Sequence, residues 1–497
     1  MPDEVARLKP LAGLILEPRL QAFAYQLQAV EVAKGLPFSA LFHEQGLGKT
    51  KIGIDLSLEW LRTNEVDCVL IVTKRSLIEN WKEEIERHTH AAAAVLDQDH
   101  AANFYLLNSS ARIFLTHYEV VKSEERRLTL FLKTRRVAAV LDESHKIKNP
   151  DAALSKSFHR IGKGFARRVI MTGTPVANRP YDLWSQIFFL DQGESLGTDF
   201  EDFRSKLELS NDLWADEKKR TRFESELATV FDRIRAFTVR ETKATAGIEL
   251  PDKVIENRLV AMMPQQAALY RKFRDDTRAD VMGASGVVED DAEDLLKRLL
   301  RLVQVASNPG LVDKGYTEEP GKLRVLREMV GSATAAGAKV IVWTSFVQNA
   351  VWLANELKAY GAVAVHGEAG MPARNASIAQ FKAEPACRVL VATPGAAKEG
   401  LTLTMANHAI FYDRSFSLDD YLQAQDRIHR ISQTQTCFVW NLVAEDTVDE
   451  WVDALLGAKR LAAQLVQSDI TAEAYAGNAD YDFGRMVKEV LGMQVSD

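Results

Sequence analysis

The stretch SALFHEQGLGKTKIGIDLSLEWL, residues 39–61, decides the fold of this chain. An apolar run is followed by a glycine-rich loop, and the loop leads directly into a segment with helical periodicity. A strand, a tight loop and a helix in this order bring backbone N–H groups and the positive end of the helix to one point. That point suits an anion, so the stretch predicts a phosphate-binding loop on an α/β sheet.

The loop itself carries the predicted phosphate chemistry. The glycines allow a close approach of the backbone, the lysine supplies a point charge to the β and γ phosphates, and the threonine offers a hydroxyl to Mg²⁺. His43 stands where the general pattern G-x-x-x-x-G-K-[ST] has glycine, so a chance glycine-rich turn is the alternative for this stretch alone. The nucleotide-binding candidates here are Gly46, Leu47, Gly48, Lys49 and Thr50.

Two carboxylates at the end of another apolar run support this interpretation. Asp142 and Glu143 follow VAAVL in the stretch VAAVLDESHKIKN, residues 137–149. Asp142 is suited to hold Mg²⁺, directly or through water, and Glu143 to orient or deprotonate an attacking water. A helix N-cap is the alternative role for this triplet. With a phosphate loop upstream, we favour nucleotide hydrolysis.

Apolar runs of strand length recur in two groups, separated by helix-length segments. The first group is 66–73, 111–117, 137–143 and 167–174, and the second is 339–346, 362–367, 387–394, 408–413 and 437–443. Strands that alternate with helices predict parallel sheets covered on both faces. We therefore expect the α/β class, with two doubly wound lobes and a helical insertion between them. The predicted domains are 1–190, 191–319 and 320–470, with a tail at 471–497.

The middle of the chain differs from both lobes. Residues 191–250 and 264–306 carry mixed charge and helical periodicity, and EDLLKRLLRLVQVA, 293–306, predicts an amphipathic helix. The small and then acidic segment 283–294 is the best loop candidate. The insertion is thus predicted to be mainly helical.

Composition limits the class of protein. The 497 residues are 46% hydrophobic and 26% charged, which excludes a collagen-like or wholly disordered chain. Since 62 Lys and Arg face 69 Asp and Glu, the formal charge is −7 and any nucleic-acid site must be a local basic surface. The three cysteines form no CxxC pair, which disfavours a zinc ribbon or a disulfide framework. The sequence has neither a secretory signal pattern nor a run of about 18 apolar residues, so we expect a soluble intracellular protein.

HEQGLGKT and DESHKIKN resemble motifs I and II of the superfamily 2 helicase-like ATPases. More narrowly, they are similar to the Swi/Snf-type DNA translocases, whose motifs read DExGLGKT and DExHxxKN. That family also lacks glycine at the position of His43. The resemblance implies two RecA-like lobes that bind ATP and Mg²⁺ in the cleft between them.

Further motifs follow in the order of that family. YQLQAV, 25–30, resembles the adenine-sensing Q motif, with Gln26 as the candidate. VTKRSLIENWKEEI, 72–85, resembles motif Ia through its S-L-x-x-N-W signature, and THYE, 116–119, resembles motif Ib. VRETKATAGIELPDK, 239–253, resembles the segment that joins the lobes.

MTGTPVANRPYDLWSQIFFL, 171–190, resembles motif III. The resemblance implies that three of its residues couple hydrolysis to movement. They are Thr172, Gly173 and Thr174.

The second predicted lobe continues the resemblance. VIVWTSF, 340–346, resembles motif IV, and TPGAAKEGLTLTMA, 393–406, resembles a motif V with about one extra residue and Thr402 in place of the usual asparagine. YLQAQDRIHRISQ, 421–433, closely resembles motif VI, Q-A-x-D-R-x-H-R-I-G-Q, with Ser432 in place of the last glycine.

Motif VI supplies the candidates Gln423, Asp426, Arg427 and Arg430. The two arginines are three residues apart, so on a helix they share a face and two guanidiniums can meet phosphates from the second lobe. The alternative is a solvated basic helix.

The resemblance implies a DNA-dependent ATPase that translocates on double-stranded DNA. Lys49, Thr50 and Asp142 are then expected to hold Mg²⁺–ATP, Glu143 to position water, and the motif VI arginines to complete the site. By motif position, the candidate nucleic-acid contacts are Lys74, Ser76, Thr116, Ser345 and Thr404.

Two alternatives stay open from the residues alone. One is a superfamily 2 helicase that unwinds RNA or DNA with single-stranded parts, and the other is a degenerate ATPase used as a binding module. Because motifs IV and V are close together, we expect a minimal, monomeric motor of bacterial or phage type. Its expected setting is cytoplasmic and nucleoid-associated, on double-stranded or branched DNA, with roles such as repair or recombination.

Overall fold

Two parallel β-sheets organise the chain, one of seven strands and one of six. The computed structural model describes residues 15–176, 178–207, 217–282, 292–397, 403–467, 469–471, 474–475 and 489–492. The contacts divide the chain into two units, each assembled from separate stretches. The first is Met1–Glu208, Phe223–Glu249 and Ala463–Ile470, and the second is Leu209–Arg222, Leu250–Ala462 and Thr471–Asp497. The sequence-based division into consecutive domains remains a prediction.

The first unit contains the seven-stranded sheet. Its strands are β1 (Phe38–Leu41), β2 (Cys68–Thr73), β3 (Ala93–Val95), β4 (Ile113–His117), β5 (Val137–Asp142), β6 (Arg167–Met171) and β7 (Thr238–Val239). They lie in the order β3-β4-β2-β5-β6-β1-β7, and every pair is parallel. Because the carboxyl ends of parallel strands meet at one edge, the segments that follow β1, β2, β5 and β6 converge there.

The part of the chain that forms this sheet also contains helices, several of which pack on it. In chain order they are α1 (Ala24–Lys34), α2 (Lys49–Arg62), α3 (Ile78–His88), α4 (His100–Leu107), α5 (Tyr118–Ser123), α6 (Glu125–Thr134), α7 (Ala153–Gly162), α8 (Trp184–Asp191), α9 (Phe200–Leu207) and α10 (Glu217–Ile234). Short 3-10 turns occupy Arg75–Leu77, Ser144–Ile147, Pro180–Leu183 and Arg235–Phe237. Every residue of β2 and β5 is buried, which explains their continuous apolar runs. One face packs on Ala29 of α1, Trp60 of α2 and Trp81 of α3.

The second unit contains the six-stranded sheet. Its strands are β8 (Lys253–Val260), β9 (Val340–Trp343), β10 (Val363–Val365), β11 (Val389–Ala392), β12 (His408–Phe411) and β13 (Cys437–Ala444). They lie in the order β10-β11-β9-β12-β13-β8, again all parallel. The later helices are α11 (Pro264–Met282), α12 (Ala292–Ser307), α13 (Gly321–Ala335), α14 (Val347–Glu356), α15 (Met371–Ala383), α16 (Pro394–Ala397), α17 (Leu418–Gln425) and α18 (Val448–Val466), with 3-10 turns at Pro309–Leu311 and Lys358–Tyr360.

The predicted fold class, two α/β lobes with parallel sheets and a helical insertion, is confirmed. Every predicted strand is present, and the amphipathic segment 293–306 lies within α12. Three strands, β3, β7 and β8, were not predicted. Most of the loop candidate 283–294, and Thr402 of motif V, lie outside the described residues. Among the described helices, none combines the length and the apolar character needed to cross a bilayer.

Candidate functional site

The phosphate loop joins β1 to α2, and two of its glycines adopt left-handed backbone. Gly46 has φ of 88° and Gly48 has φ of 68°. Lys49 is the first residue of α2, and its Nζ donates to the carbonyl oxygens of His43 at 2.9 Å and Glu44 at 3.3 Å. The lysine cation therefore lies against its own loop, beside the positive end of α2, where an anion is favoured. Thr50 follows in the first turn of α2 and is partly exposed.

The side chain of Gln26 on α1 holds the phosphate loop through hydrogen bonds. Its amide Nε2 donates to the Leu47 carbonyl at 3.1 Å, and its Oε1 accepts the Phe23 backbone N–H at 3.0 Å. The Tyr25 hydroxyl donates to the same Leu47 carbonyl at 3.2 Å. The Q-motif candidate is thus part of the loop architecture, and the adenine contact implied by the resemblance stays a prediction.

His43 lies fully buried at the start of the loop. Burial, together with the charge of Lys49, lowers the pKa of His43 to about 4. Its ring is therefore neutral at pH 7 and adds no charge to the phosphate site. Neither ring nitrogen has a hydrogen-bond partner within the described part of the chain.

The acid pair stands at the carboxyl end of β5. Asp142 is the last strand residue, and Glu143 follows in a left-handed conformation with φ of 54°. Left-handed backbone is strained for a residue with a side chain, and such strain concentrates at functional sites. The Glu143 backbone N–H donates to Asp142 Oδ1 at 3.0 Å, which helps to orient the Asp142 carboxylate.

The two carboxylates differ in their tendency to ionise. Burial, followed by the charge of Glu143, raises the pKa of Asp142 to about 6. Burial also acts to raise the pKa of Glu143, but the neighbouring His145, whose Nδ1 lies 3.3 Å from Glu143 Oε2, and the charges of Lys74 and Lys49 outweigh it and hold that pKa well below its usual range. Glu143 is thus a stable carboxylate that can accept a hydrogen bond from water, while Asp142 needs a nearby cation to stay fully ionised.

The motif III triplet lies directly beside the phosphate loop. The Thr172 backbone N–H donates to the Leu41 carbonyl at 3.2 Å, and its Oγ1 accepts the Thr174 N–H at 3.1 Å. At Gly173 a Cβ would lie 2.6 Å from Gln45 Cγ and 3.2 Å from Lys49 Nζ. Only glycine allows this close approach. The coupling of hydrolysis to movement by this triplet stays a prediction.

Two cationic residues of the segment 239–253, Arg240 and Lys243, also contact the phosphate loop. Arg240 Nη1 donates to the Phe42 carbonyl at 2.8 Å, and its guanidinium pairs with Asp469. The Lys243 backbone N–H donates to Glu44 Oε2 at 2.8 Å, and Lys243 Nζ lies 3.3 Å from Glu44 Oε1. The sequence pattern R-x-T-K marked these two cations, but not their partners.

The motif VI residues belong to the second unit, and the shared helical face considered for Arg427 and Arg430 is wrong. Helix α17 ends at Gln425, so Arg427 and Arg430 lie in the turns that follow it. Arg427 Nε donates to the Gln423 carbonyl and Arg430 Nε to the Asp426 carbonyl, both at 3.1 Å. Each guanidinium is therefore anchored to the carbonyl four residues earlier, without a shared helical face.

Buried side chains keep the end of α17 in place. Gln423 is buried and its Nε2 donates to Asp419 Oδ1 at 2.7 Å. Asp426 is also buried, and its Oδ1 lies 3.8 Å from Lys253 Nζ. The part of Gln423 in nucleotide binding stays a prediction.

The nucleic-acid candidates fall into two groups. Lys74 and Thr116 are buried, and the Thr116 hydroxyl donates to the Leu96 carbonyl at 3.0 Å, so neither is displayed on a surface. Ser76 is exposed, Ser345 is half-buried with its N–H on Asp413 Oδ1 at 2.6 Å, and the Thr404 hydroxyl lies 2.9 Å from that of Ser432. Contact with nucleic acid stays a prediction for all five.

Asp142 has three hydrogen-bond donors that the sequence did not identify as part of the site, two on its carboxylate and one on its backbone carbonyl. Trp81 Nε1 donates to Asp142 Oδ2 at 2.8 Å, and Thr73 Oγ1 donates to the same oxygen at 3.2 Å. The Tyr118 hydroxyl donates to the Asp142 carbonyl at 2.7 Å. Trp81 belongs to the S-L-x-x-N-W signature, so the sequence marked this residue but did not reveal its hydrogen bond to Asp142.

The oxygen donors of this edge fit a hard cation. The Thr50 hydroxyl and the Asp142 carboxylate are the oxygen types that Mg²⁺ takes from protein, with substrate phosphates and water completing its shell. No group of three or more His, Cys, Asp or Glu suited to a metal occurs within the described residues, so no cage made of protein groups alone is formed there.

Comparison with known proteins identifies the family. A model described as the SNF2-related domain matches residues 23–311. The chain belongs to the SNF2-related family. A second model, the helicase conserved C-terminal domain, matches residues 321–432 of this SNF2-related chain. The resemblance based on motifs I and II is thereby confirmed.

Several curated relatives are similar over most of this SNF2-related chain. An uncharacterized ATP-dependent helicase of Mycoplasma pneumoniae is 26% identical, over 90% of this chain and 42% of its own length. The putative ATP-dependent helicase/translocase YwqA of Bacillus subtilis is 26% identical, over 87% of this chain and 47% of its own. The chain therefore spans about half the length of the curated relatives it matches.

A solved structure also aligns with the chain. It is described as the Sulfolobus solfataricus SWI2/SNF2 ATPase core in complex with dsDNA, and is 27% identical over 96% of this chain and 98% of its own, with a TM-score of 0.43.

Proposed function

We propose that this chain hydrolyses ATP with Mg²⁺ and uses the energy to translocate on double-stranded DNA. The observation that carries the proposal is the convergence of Lys49, the Asp142–Glu143 pair and Gly173 at one edge of the first sheet. Phosphate binding and the orientation of the attacking water are what phosphoryl transfer to water needs. Gly173 allows the close packing beside Lys49.

Each residue has a defined part in the proposal. Lys49 leaves the His43 and Glu44 carbonyls and donates to the β and γ phosphates, while Gly46, Leu47 and Gly48 present backbone to them. Thr50 and Asp142 would hold Mg²⁺, which supplies positive charge to the phosphate oxygens. Glu143, kept ionised, accepts a proton from water or orients it. Arg427 and Arg430 are proposed to stabilise charge on the transferred phosphoryl group.

Duplex DNA is the proposed track because of the family and its relatives. The S-L-x-x-N-W signature at 76–81 and the motif VI pattern at 423–431 are those of the DNA translocases. A relative from Saccharomyces cerevisiae, 26% identical, is named an ISWI chromatin-remodeling complex ATPase. We propose that the chain contacts the duplex mainly at its phosphates. Such contacts give little preference for a base sequence.

The wider setting belongs to the same proposal. We propose a monomeric, cytoplasmic, nucleoid-associated motor that remodels DNA or protein–DNA complexes in repair or recombination. The alternative is a helicase that unwinds RNA or DNA with single-stranded parts, and the stimulating nucleic acid distinguishes them.

The test measures ATP turnover by the wild-type chain and Lys49→Ala with duplex DNA, single-stranded DNA, RNA or no nucleic acid. We expect duplex DNA to stimulate most, and Lys49→Ala to lose about 100-fold or more in turnover because one preorganised charge is removed from the phosphates. Lys156→Ala, an exposed lysine of α7 outside the motifs, is the control and should keep the wild-type rate.

Displacement of a third strand from triplex DNA then reports translocation directly. Wild-type turnover by Lys49→Ala would overturn the ATPase assignment. Stimulation by RNA alone would replace the DNA track with the helicase alternative, and a wild-type chain without turnover on any nucleic acid would indicate a binding module.

A further inference from the structure

Trp81 is buried in the first unit beside the acid pair. It lies on α3 with 0% of its surface exposed, and its Nε1 donates to Asp142 Oδ2 at 2.8 Å. The indole N–H is a donor only, and a bond to a carboxylate is stronger than one to a neutral acceptor. The contact joins residues 61 positions apart in the sequence.

Burial alone does not explain this bond. Trp343 and Trp451 are also buried, yet the indole N–H of each has no hydrogen-bond partner in the described structure. The chain therefore accommodates buried tryptophans with unpaired N–H groups, and the orientation of Trp81 toward Asp142 is a specific feature of this edge.

The hydrogen bonds to Asp142 are unequal between its two oxygens. Oδ2 accepts from both Trp81 and Thr73, whereas Oδ1 accepts only the Glu143 N–H among the described residues. Since a carboxylate oxygen has about two acceptor positions, Oδ2 is fully used and Oδ1 keeps one. The two donors on Oδ2 thus fix the rotation of the carboxylate and leave Oδ1 available.

The sheet places these donors by register. Strands β2 and β5 are parallel neighbours with Val72 opposite Leu141, so the next residues, Thr73 and Asp142, end side by side. The turn Arg75–Leu77 leads from β2 into α3, which returns Trp81 to the same strand ends. The S-L-x-x-N-W stretch is therefore built around the carboxylate of motif II.

We propose that Trp81 is a positioning residue that orients the Asp142 carboxylate for Mg²⁺, an inference that rests on the proposed function. It acts through Asp142 and touches neither nucleotide nor metal. Outer hydrogen bonds of this kind orient metal ligands, and their loss costs about 10- to 100-fold in metal affinity.

The test is a magnesium titration of fluorescent ADP binding with Trp81→Phe, which keeps an aromatic ring but lacks the N–H donor. We expect the Mg²⁺ concentration at half-maximal enhancement to rise about 10- to 100-fold. ADP affinity in EDTA should stay within about twofold of wild type, because the phosphate loop is unchanged.

Trp60→Phe is the matched control. Trp60 is 1% exposed in the same unit, and its Nε1 donates to the Lys34 carbonyl at 2.9 Å, away from the acid pair. The Trp60→Phe variant should keep the wild-type Mg²⁺ midpoint, although it also removes the N–H of a buried indole. A general packing defect would instead alter both variants, and alter the binding in EDTA as well.

The outcomes separate the two proposals. A Mg²⁺ midpoint in Trp81→Phe equal to that of Trp60→Phe overturns the role of Trp81 and leaves the proposed ATPase intact. A wild-type chain that binds no nucleotide, or binds it without any response to Mg²⁺, overturns both. If Trp81→Phe does not fold, Trp81→Leu carries the test, since it also lacks the N–H donor, and the binding in EDTA reports its packing defect separately. Its Mg²⁺ midpoint should rise, and an unchanged midpoint overturns the inference.

Discussion

The backbone of Gly48 shows how tightly single residues define the phosphate loop. Its φ of 68° is left-handed, and an added Cβ would lie 2.5 Å from Gln26 Nε2. A side chain here is therefore strained in its backbone and displaces the amide that holds the Leu47 carbonyl.

We expect Gly48→Ala to weaken nucleotide binding about tenfold and to lower the free energy of unfolding by about 1–3 kcal/mol, the usual cost of a left-handed non-glycine residue. Gly35→Ala is the control, because Gly35 is right-handed with no atom within 4 Å of an added Cβ. Titration with fluorescent ADP and denaturant unfolding measure both effects. Equal behaviour of the two alanine variants would contradict this account.

Residue types were sufficient to propose the chemistry of the site, but they did not reveal its geometry. Lys49, Asp142 and Glu143 carry their roles in local patterns, so the sequence was sufficient to propose them. The bond from Trp81 to Asp142 crosses 61 positions and depends on which strands are neighbours, which a local pattern does not contain. The burial of Thr116 was missed for the same reason.

At the scale of elements, apolar runs predicted the buried strands and the edge strand β10, but not the other edge strands β3, β7 and β8. Strands β2 and β5 are buried throughout, so their sequences are uniformly apolar. Strand β8 lies at an edge with most residues exposed, and its sequence, KVIENRLV, has no apolar run. Strand β7 has only two residues, and its pairing with β1 depends on the tertiary fold. The interpretation that placed Arg427 on a helix is wrong, because α17 ends at Gln425, two residues earlier.

A buried ion pair connects two helices of the second unit. Lys322 on α13 and Asp449 on α18 lie 2.5 Å apart with 1% and 5% of their side chains exposed. Lys322 Nζ also donates to the Tyr412 carbonyl at 3.0 Å, just beyond β12. Lys322 thus connects α13, α18 and the end of β12.

We expect Lys322→Met to destabilise the second unit by about 3–5 kcal/mol, because it leaves the Asp449 carboxylate buried without its cation. Replacing both partners, Lys322→Met with Asp449→Leu, should recover most of that loss. Calorimetry measures the transitions, with Lys82→Met of the exposed Lys82–Glu79 pair as a control expected to change stability by about 0–1 kcal/mol. A loss in the single variant no larger than in the control would contradict the role of this pair.

At the scale of the whole molecule, net charge constrains where DNA can bind. The chain carries 62 Lys and Arg against 69 Asp and Glu, a formal charge of −7. Under the proposed function, duplex DNA would meet a locally basic surface, and the remaining surface would then be more acidic than the total.

We expect the affinity for duplex DNA to fall about 1,000-fold between roughly 50 and 200 mM salt, the loss typical of six or more phosphate contacts. Fluorescence anisotropy of labelled DNA measures this change. ADP binding in the same buffers is the control and should change far less, because few charges are exchanged. A flat salt response for DNA would contradict binding through phosphates.

The pairing of β8 with β13 has a consequence for synthesis of the chain. Lys253 lies opposite Cys437, 184 positions later (437 − 253), whereas every strand of the first sheet lies between residues 38 and 239. A ribosome adding about 5–20 residues per second needs roughly 10–40 s to supply the partner. During that interval β8 has left the ribosome without the strand it pairs with, while the strands of the first sheet are already complete. The nascent chain is thus most exposed to wrong pairing after its nucleotide-binding half has been made.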